Sequence, residues 1–287
     1  MEEREIKEEH WDKIISSKKK LFDLHLRSVW DYKYLILMFI RRDFTVQYKQ
    51  TILGPIWYLV QPIISSIMYS FVFGTMAGVG TDGIPMLLFY YAGTMLWTYF
   101  TGCLNGCASI FTANQGIFGK VYFPRLTAPV AKCGFEAIRL FIQFLLLCVF
   151  ILFYVFVKKT QINISLLCLT APLIFLWVGL IGGSLGLIIS SLTTKYRDLN
   201  ILLAFGLQLA MYATPVVYPL SQIPGMFRSL VYFNPMCAPV EFFRMAFYGA
   251  GSISTEMIAV SLGETVVLLI LGLILFSRNE RNFVDVI

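Results

Sequence analysis

Residues 133–157 read CGFEAIRLFIQFLLLCVFILFYVFV, a long apolar run in which Glu136 and Arg139 are the charged side chains. About 30 Å of hydrocarbon at 1.5 Å per residue requires about 20 apolar residues, so this stretch is long enough to span a bilayer. Charges inside a span are costly and point to a functional site. Glu136 and Arg139 are three residues apart on one helix face, so a purely structural pair is equally open.

Six stretches of the chain have the length and hydrophobicity of membrane spans. They are residues 52–77, 86–113, 133–157, 166–192, 199–218 and 257–276. Charged residues make up 14% of the chain, against about 25% in a typical soluble domain. The sequence therefore predicts an all-α integral membrane protein with six transmembrane helices. A cytoplasmic segment, residues 1–51, precedes a transmembrane domain, residues 52–287.

The cations indicate the orientation of these spans. Eighteen of the 23 Lys and Arg residues flank the spans on the side of the N terminus, four lie on the opposite side, and Arg139 lies within a span. Cytoplasmic loops carry an excess of Lys and Arg. We therefore expect both termini and residues 119–129 to be cytoplasmic, with Lys158 and Lys159 as an exception to the rule.

Residues 119–129, GKVYFPRLTAP, form an unusual loop between two spans, which we call the island. The island contains two cations, two aromatic residues and two prolines. Pro124 and Pro129 would stop or kink a helix, and a short helix fits between Gln115 and Tyr122. This composition predicts a docking element that lies across the cytoplasmic mouth of the bundle.

The segment before the first span is amphipathic. In residues 21–42 the apolar and charged side chains occupy different helix faces, and the unbroken apolar run is too short to cross a membrane. This pattern predicts a helix that lies in the cytoplasmic interface. A soluble helix packed on a partner is the alternative.

Residues 215–250 are too polar for a span and too apolar for an ordinary loop. They hold five of the 11 prolines of the chain. Irregular backbone at membrane depth is tolerated only where protein or water satisfies its polar groups. We interpret the segment as a re-entrant hairpin from the outer face, with an interfacial loop as the alternative. Its candidate functional residues are Asn234, Pro235, Glu241 and Arg244.

Aromatic residues crowd the first two spans at several depths. An interfacial belt at each membrane face explains part of this enrichment, but not the mixed depth. Tyr and Trp rings suit sugars, because their apolar faces stack and their polar tips hydrogen-bond. The candidates for such a stacking path are Trp57, Tyr58, Phe71, Tyr91 and Trp97.

Small residues recur at a spacing of four in two spans. Gly102 with Gly106, and Gly182 with Gly186, match the pattern that lets helices approach closely. We favour packing within the bundle over a dimer contact for both pairs.

The sequence lacks the motifs of several function classes. No Cys, His and carboxylate spacing suits a metal, and no Gly-rich phosphate loop followed by Lys and Ser or Thr is present. A membrane-embedded transferase needs a polar catalytic cluster, and a secondary transporter needs midplane carboxylates in paired halves; the sequence has neither. We therefore expect no enzyme activity, metal or cofactor in this chain.

Four motifs occur in order at matching positions between the spans. They are RRDFTVQYKQTILGPIWYLVQP (41–62), FGKVYFPRLTAPVAK (118–132), TTKYRDLN (193–200) and the two halves YPLSQIP and VYFNPMCAPVEFFR within 218–244. Together they resemble the membrane subunits of ABC-2 type exporters, most closely the O-antigen and capsule polysaccharide permeases, with teichoic acid permeases as near relatives.

The resemblance implies a homodimer of six-span subunits in the bacterial cytoplasmic (inner) membrane. A separate dimer of ABC ATPase subunits would hold the ATP and magnesium. The substrate would be an undecaprenyl-linked polysaccharide of the O-antigen type, and no nucleic acid partner is expected. Exporters of teichoic acid, capsule, drug or haem, and a membrane-embedded transferase, are the alternatives.

The resemblance also assigns roles to residues. The island would be a coupling helix that fits a groove on the ATPase, and Pro124 would fix its exit angle. Arg41 and Arg42 would attract the lipid pyrophosphate, and the aromatic path would guide the sugars. The coupling contacts would be Phe118, Lys120, Tyr122, Phe123, Pro124 and Arg125.

The uneven distribution of cations predicts which single cysteines an impermeant thiol reagent labels in intact cells. In a cysteine-free background, we expect labelling at positions 82 and 221 and protection at position 120. Labelling of position 120 from outside would refute the orientation, and with it the docking role of the island.

Overall fold

A computed structural model describes residues 26–49, 54–118, 121, 123–193, 198–225 and 231–284. Every regular element in these ranges is helical, which confirms the predicted fold class for this part of the chain. The α-helices are α1 Leu26–Asp31, α2 Lys33–Tyr48, α3 Trp57–Tyr69, α4 Met86–Ala108, α5 Ile110–Ala113, α6 Gln115–Phe118, α7 Thr127–Phe156, α8 Ala171–Thr193, α9 Leu199–Tyr212, α10 Cys237–Tyr248 and α11 Thr255–Val284.

Four helical segments of the described chain are long and apolar enough to cross a membrane. They are Trp57–Met76, Thr127–Phe156, Leu166–Thr193 and Thr255–Asn279. The first combines α3 with a wider π-helical continuation, Ser70–Met76, and the third combines a 3₁₀ turn, Leu166–Thr170, with α8. The two remaining predicted spans, 86–113 and 199–218, begin with α4 and α9, but α4 ends at Ala108 and α9 at Tyr212, and neither is among the four candidate spans.

The uncharged helix α4 lies at the centre of the bundle. It packs against α3, α7 and α8, and α8 packs in turn against α11. Most of the N-terminal half of α4 is buried, including Leu88, Tyr90, Tyr91 and Met95. In contrast, none of the residues of α9, which the structure describes in full, is buried. The protein core is thus built around α4, and α9 lies at its edge.

Glycines on α8 allow this central contact. A Cβ atom on Gly182 would lie 2.6 Å from the carbonyl oxygen of Phe100, and one on Gly186 would lie 2.5 Å from that of Leu104. Both distances are too short for a Cβ atom. The two glycines therefore allow the backbones of α4 and α8 to approach closely. The prediction that this glycine pair serves packing within the bundle is confirmed.

The N-terminal helix differs from its predicted limits. Residues 21–25 lie outside the described part of the chain, and α2 continues to Tyr48, so the predicted end at residue 42 is wrong. The helix packs on α7 and buries Phe39, while Tyr34 and Leu37 are exposed. Beyond residue 42, Asp43 pairs with Lys132 of α7 at 3.4 Å and the ring centre of Tyr48 lies 5.1 Å from that of Tyr58, so tertiary contacts support the longer helix.

The segment 215–250 is largely held by protein. It contains a 3₁₀ turn, Leu220–Gln222, and the almost fully buried helix α10, which packs on α4, α8 and α11. Gly249, at φ 67°, ends α10 in the left-handed conformation that glycine adopts without strain. Residues 226–230 lie outside the described part, so the tip of the predicted hairpin does too.

The turn before α4 and the turn Leu220–Gln222 are joined by a side-chain contact. The hydroxyl of Ser221 donates to the carboxylate of Asp82 at 2.8 Å and 2.9 Å from its two oxygens. Residues 82 and 221 therefore lie on the same face of the bundle, as the predicted topology requires.

The α4–α8 contact predicts opposite effects for two glycine substitutions. Gly186→Ala should lower the free energy of unfolding by about 1–3 kcal/mol, because the new methyl group overpacks the contact. Gly263→Ala on α11 is the matched control, since no atom lies within 4 Å of its added Cβ, and it should be neutral or stabilising. Thermal unfolding in detergent measures both; equal melting temperatures would contradict the packing role.

Candidate functional site

A polar stripe runs along one face of α4. Its residues recur at intervals of three or four, which places them on one side of a helix. They are Thr94, Thr98, Thr101, Asn105 and Ser109. The Thr101 hydroxyl donates to the carbonyl of Trp97 at 3.0 Å, and the Ser109 hydroxyl donates to that of Asn105 at 2.9 Å. These bonds satisfy the donors within the helix and leave oxygen lone pairs facing outward.

Charged and polar residues of α7 face this stripe. Lys132, Glu136, Arg139 and Gln143 follow one another at the same helical intervals. Arg139 donates to Glu136 at 2.9 Å, with 18% and 7% of the two side chains exposed. Gln143 donates to the carbonyl of Tyr58 at 3.1 Å, which ties α7 to the first turn of α3.

Gly102 and Gly106 form the floor between these two rows. An added Cβ on Gly102 would lie 2.5 Å from Oε2 of Glu136, and one on Gly106 would collide with the stem of Lys132. The glycines therefore make room for charged side chains to lie across α4. Gly102 and Gly106 thus serve packing within the bundle, as predicted. The space that they leave is filled by side chains of α7, however, and not by its backbone.

Two open cavities share this floor. One has a volume of about 390 Å³ and is lined by the stripe from Thr98 to Ser109 and by Lys132, Glu136 and Arg139. The other has a volume of about 330 Å³ and reaches α2. Gly106, Ser109 and Lys132 line both. We call the combined space between α2, α4 and α7 the groove.

The α2 side of the groove carries an ion-pair network. Arg42 lies 2.8 Å from Asp43 and donates to the side-chain oxygen of Asn114 at 3.3 Å. Lys132 reaches the other oxygen of Asp43 at 3.4 Å. Two arginines were predicted to attract a pyrophosphate. Arg42 lines the groove and is bonded to Asp43 and Asn114, whereas Arg41 is exposed on the helix surface.

Two thiols lie beside the floor of the groove. The Sγ atoms of Cys107 on α4 and Cys133 on α7 are 3.6 Å apart. Each cysteine follows a groove residue in the chain, Gly106 and Lys132 respectively. This contact fixes the separation of α4 and α7 at the base of the groove.

The five aromatic residues predicted to guide sugars do not line one path within this subunit. Tyr58 is buried, with the Arg139 guanidinium 4.2 Å from its ring centre. Tyr91 is buried and donates to the carbonyl of Gln143 at 3.1 Å. Trp57 and Phe71 are exposed on the surface of the first span.

Trp97 lies on a different side of α4. It lines an apolar cavity of about 430 Å³ between α4, α8 and α9, together with Asn234 and Pro235. The helix α4 thus has an apolar cavity on one side and the polar groove on the other. The aromatic pattern alone does not reveal this division, because it carries no information about which neighbours each helix face meets.

Two aromatic residues predicted as coupling contacts, Phe123 in the island and Phe118 directly before it, point into the protein. Phe118 and Phe123 are both buried, their ring centres lie 5.7 Å apart, and Phe123 packs edge-on against Phe39 of α2. Buried rings offer almost no surface to a partner, so their predicted role as direct contacts is revised to that of anchors.

The rest of the island divides between surface and capping positions. Val121 is 58% exposed, and the Arg125 guanidinium lies 5.7 Å from the ring centre of Phe118. The carbonyl of Pro124 accepts hydrogen bonds from both the amide and the hydroxyl of Thr127, which starts α7. Lys120 and Tyr122 lie outside the described residues.

The charged pair of α10 is fully buried. Arg244 donates to Glu241 at 2.9 Å and to the carbonyl of Val216 at 3.1 Å, and it stacks 3.7 Å from the ring centre of Phe89. Glu241 accepts in turn from the backbone amide of Ser252 at 3.3 Å. The pair therefore holds three segments together, which is a structural role.

Asn234 and Pro235 also connect elements. The Asn234 amide donates to the Thr214 hydroxyl at 2.8 Å, and the carbonyl of Pro235 accepts from the Ser261 hydroxyl at 2.7 Å. These contacts join the end of the α9 segment to α11 through the turn before α10. All four residues predicted for the hairpin thus take part in its attachment to the bundle.

Sequence analysis missed the groove as a site. Asp43, Asn114 and Lys132 were not among its predicted functional residues, and Asn105 drew no attention. The signal was present, since uncharged polar residues recur on one face of α4 and charged residues at the same period on α7. The groove can be recognised only when the polar faces of α4 and α7 are known to meet, and that is a tertiary contact.

A helical bundle in which four described segments are long and apolar enough to cross a membrane fits a multi-pass membrane protein. The chain belongs to the ABC-2 type transporter family, whose profile matches residues 34–248. This match covers α2 to α10, and therefore the groove, the island and the buried pair of α10.

Curated relatives of this chain are export and transport proteins. It is 25% identical over 253 residues to the O-antigen export system permease protein RfbA of Klebsiella pneumoniae, covering 88% of this chain and 95% of that protein. It is 23% identical to the protein of the same name in Myxococcus xanthus, over 91% and 98% of the two chains. The polysialic acid transport protein KpsM of Escherichia coli is 22% identical, over 84% and 91%.

The Glu136–Arg139 pair predicts a non-additive pattern of stability. Arg139→Gln should lower the free energy of unfolding by about 3 kcal/mol, because it leaves a buried carboxylate without its partner. The double variant Glu136→Gln with Arg139→Gln should recover more than half of this loss, since two amides can hydrogen-bond to each other. Thermal unfolding in nanodiscs compares the single and double variants. A double variant less stable than either single one would contradict the structural part of the pair's role.

Proposed function

We propose that this chain is the transmembrane subunit of an ABC exporter that moves undecaprenyl-linked polysaccharide, of the O-antigen type, out across the bacterial inner membrane. The observation that carries this proposal is the near full-length match to O-antigen export permeases. The groove agrees with it, because hydroxyl, amide and charged groups at membrane depth suit a hydrated, sugar-bearing substrate.

The proposed assembly contains two copies of this chain and two ATPase subunits. Family membership implies an ABC ATPase partner, and we assign the ATP and magnesium to that partner. A second copy of this chain would complete an enclosed conduit. The weakly packed α9, which buries none of its described residues, supports an incomplete structure in the single subunit.

The proposed topology has six spans with both termini in the cytoplasm. Helix α4 has 23 residues and a length of about 34 Å, which is sufficient for a bilayer core. Helix α9 is shorter and would cross together with its flanking residues. We place the segment 215–250 at the outer face as a re-entrant element, supported by the contact between Ser221 and Asp82.

We further propose that the island couples the ATPase to the groove. Phe118 and Phe123 anchor it against Phe39 of α2 and, through Phe111, against Phe276 of α11. A force on the exposed surface of the island would therefore reach the helices that border the groove. Val121 and Arg125 are the described residues that we expect to touch the ATPase, together with Lys120 and Tyr122.

A capsule exporter is the second candidate. The match to the polysialic acid transport protein KpsM favours it specifically. Both candidates move a polysaccharide on a lipid, so the groove and the island would serve either. The identity of the polymer that accumulates when export stops separates them.

Deletion of the gene tests the proposed function directly. Surface polysaccharide should disappear, and the lipid-linked polymer should accumulate inside the cell, because synthesis continues without export. Extraction and sugar analysis of the accumulated material identify the substrate, and the plasmid-borne gene should restore the surface polymer. Unchanged surface polysaccharide, with no internal accumulation, would contradict the proposal.

Substitutions in the island separate contact from anchoring. Val121→Asp should reduce export at least tenfold and leave the melting temperature unchanged, because Val121 is 58% exposed. The double variant with Arg125→Glu should reduce export further, since losses of about 2 kcal/mol are typical of interface anchors. Phe123→Ala should reduce export and also lower stability by about 3 kcal/mol, since it empties a buried site.

The measurements are surface polysaccharide per unit of permease, and thermal unfolding. Lys158→Gln, which removes a cation at the far end of α7, is the control for general charge effects. Normal export by the double variant would show that the island surface does not transmit the ATPase cycle.

A further inference from the structure

The groove carries an excess of positive charge that the ion pairs do not balance. Its walls contain three cations, Arg42, Lys132 and Arg139, and two carboxylates, Asp43 and Glu136. Each carboxylate accepts from an arginine at 2.8–2.9 Å. Lys132 is left to share Asp43 with Arg42, at the longer distance of 3.4 Å. Lys132 is therefore the cation with the weakest counter-charge.

Neighbouring residues hold the side chain of Lys132 in a defined position. Its side chain crosses α4 over Gly106, which has no Cβ to block it, and its ammonium lies 5.0 Å from the ring centre of Phe135. This arrangement holds the charge where the two cavities of the groove join. An ion pair that served only to join α2 and α7 would not need space cleared on a third helix.

Unsatisfied donors lie along the same walls. The Nε atom of Arg139 is buried with no partner among the described residues. The exposed amide of Asn105 likewise has no hydrogen bond to the described part of the chain. A polar group without a partner at membrane depth is costly, so both groups favour a groove occupied by water or by a ligand with several acceptor oxygens.

Apolar surface adjoins these polar walls. Phe39 and Val46 of α2 and Ile110 of α5 line the groove beside Arg42, Asp43 and Lys132. A ligand in the groove thus meets cations and amide donors on one side and hydrocarbon on the other. The chemistry that fits both is a phosphate or diphosphate group attached to a lipid tail, because phosphate oxygens accept several charge-assisted hydrogen bonds.

We infer that Lys132, with Arg139 and Asn105, binds the phosphate group of the lipid-linked substrate inside the groove, and that Asp43 holds Lys132 until the phosphate arrives. This inference rests on the proposed function and locates its phosphate in the groove. It places the phosphate site at the junction of α2, α4 and α7 rather than at the exposed Arg41.

Binding of defined lipids to the full-length chain in nanodiscs tests the inference. The probes are a polyprenyl diphosphate, the corresponding polyprenol without phosphate, and phosphatidylglycerol as an ordinary anionic lipid; native mass spectrometry counts the bound molecules. The wild type should bind the diphosphate at least about tenfold more tightly than the polyprenol, since the phosphate contributes charge-assisted bonds. It should also prefer the diphosphate to phosphatidylglycerol.

Variants of the lysine and its counter-ion give opposite expectations. Lys132→Gln should weaken diphosphate binding about tenfold or more, and Lys132→Arg should retain most of it, because the charge is kept. Asp43→Asn should bind the diphosphate as tightly as the wild type or more so, since the competing carboxylate is gone. Lys158→Gln is the matched control and should bind normally.

Three outcomes would overturn the inference. One is equal diphosphate binding by the wild type and Lys132→Gln. Another is weaker binding by Asp43→Asn at an unchanged melting temperature, which would make Asp43 part of the binding site rather than a competitor. The last is phosphatidylglycerol binding as tight and as sensitive to Lys132, which would identify a site for a bulk lipid headgroup. The gene deletion tests the proposed function without these lipids. If the deletion abolishes export as expected but Lys132→Gln binds the diphosphate like the wild type, this inference is rejected and the proposed function stands.

Discussion

The structure depends on a single constraint: hydrocarbon supplies no hydrogen-bond partners, so every polar group at membrane depth must find one within the protein or in a water-filled space. The two faces of α4 meet this constraint in different ways. Towards α8 the helix presents its backbone to Gly182 and Gly186, the Tyr99 hydroxyl lies against Gly179, and the carbonyl of Ala108 accepts from the Thr193 hydroxyl at 3.4 Å. Towards α7 it presents hydroxyls bonded to its own carbonyls and glycines that leave room for Glu136 and Lys132.

The same constraint explains why the ionic residues are distributed as they are. The Glu241–Arg244 pair is fully buried, bonds to the backbone of Val216 and Ser252, and therefore fastens α10 to the bundle. The Glu136–Arg139 pair is open to a cavity on one side. Two pairs with identical spacing in the sequence thus have different roles, and the difference comes from the elements packed around them.

The sequence predicted the helical class and the main spans, because apolar length is a local property. It also identified the island, the glycine pairs and the two ion pairs, whose residue types are unusual for their positions. It did not predict that Phe123 faces inward, that Trp97 and Tyr58 lie on different sides of α4, or that Lys132 meets Asp43 across 89 positions of the chain. Each of these depends on which helix faces meet, and hydrophobic periodicity along one helix does not encode its neighbour.

The contact between Cys107 and Cys133 makes the separation of α4 and α7 at the groove measurable through two native thiols. Their sulfurs are 3.6 Å apart, and a movement of α4 towards α7 by roughly 1.5 Å would bring them to the length of a covalent S–S bond. A widening of similar size would break their van der Waals contact and separate the thiols. Whether an added oxidant joins these two native thiols therefore reports the separation of α4 and α7, without any engineered residue.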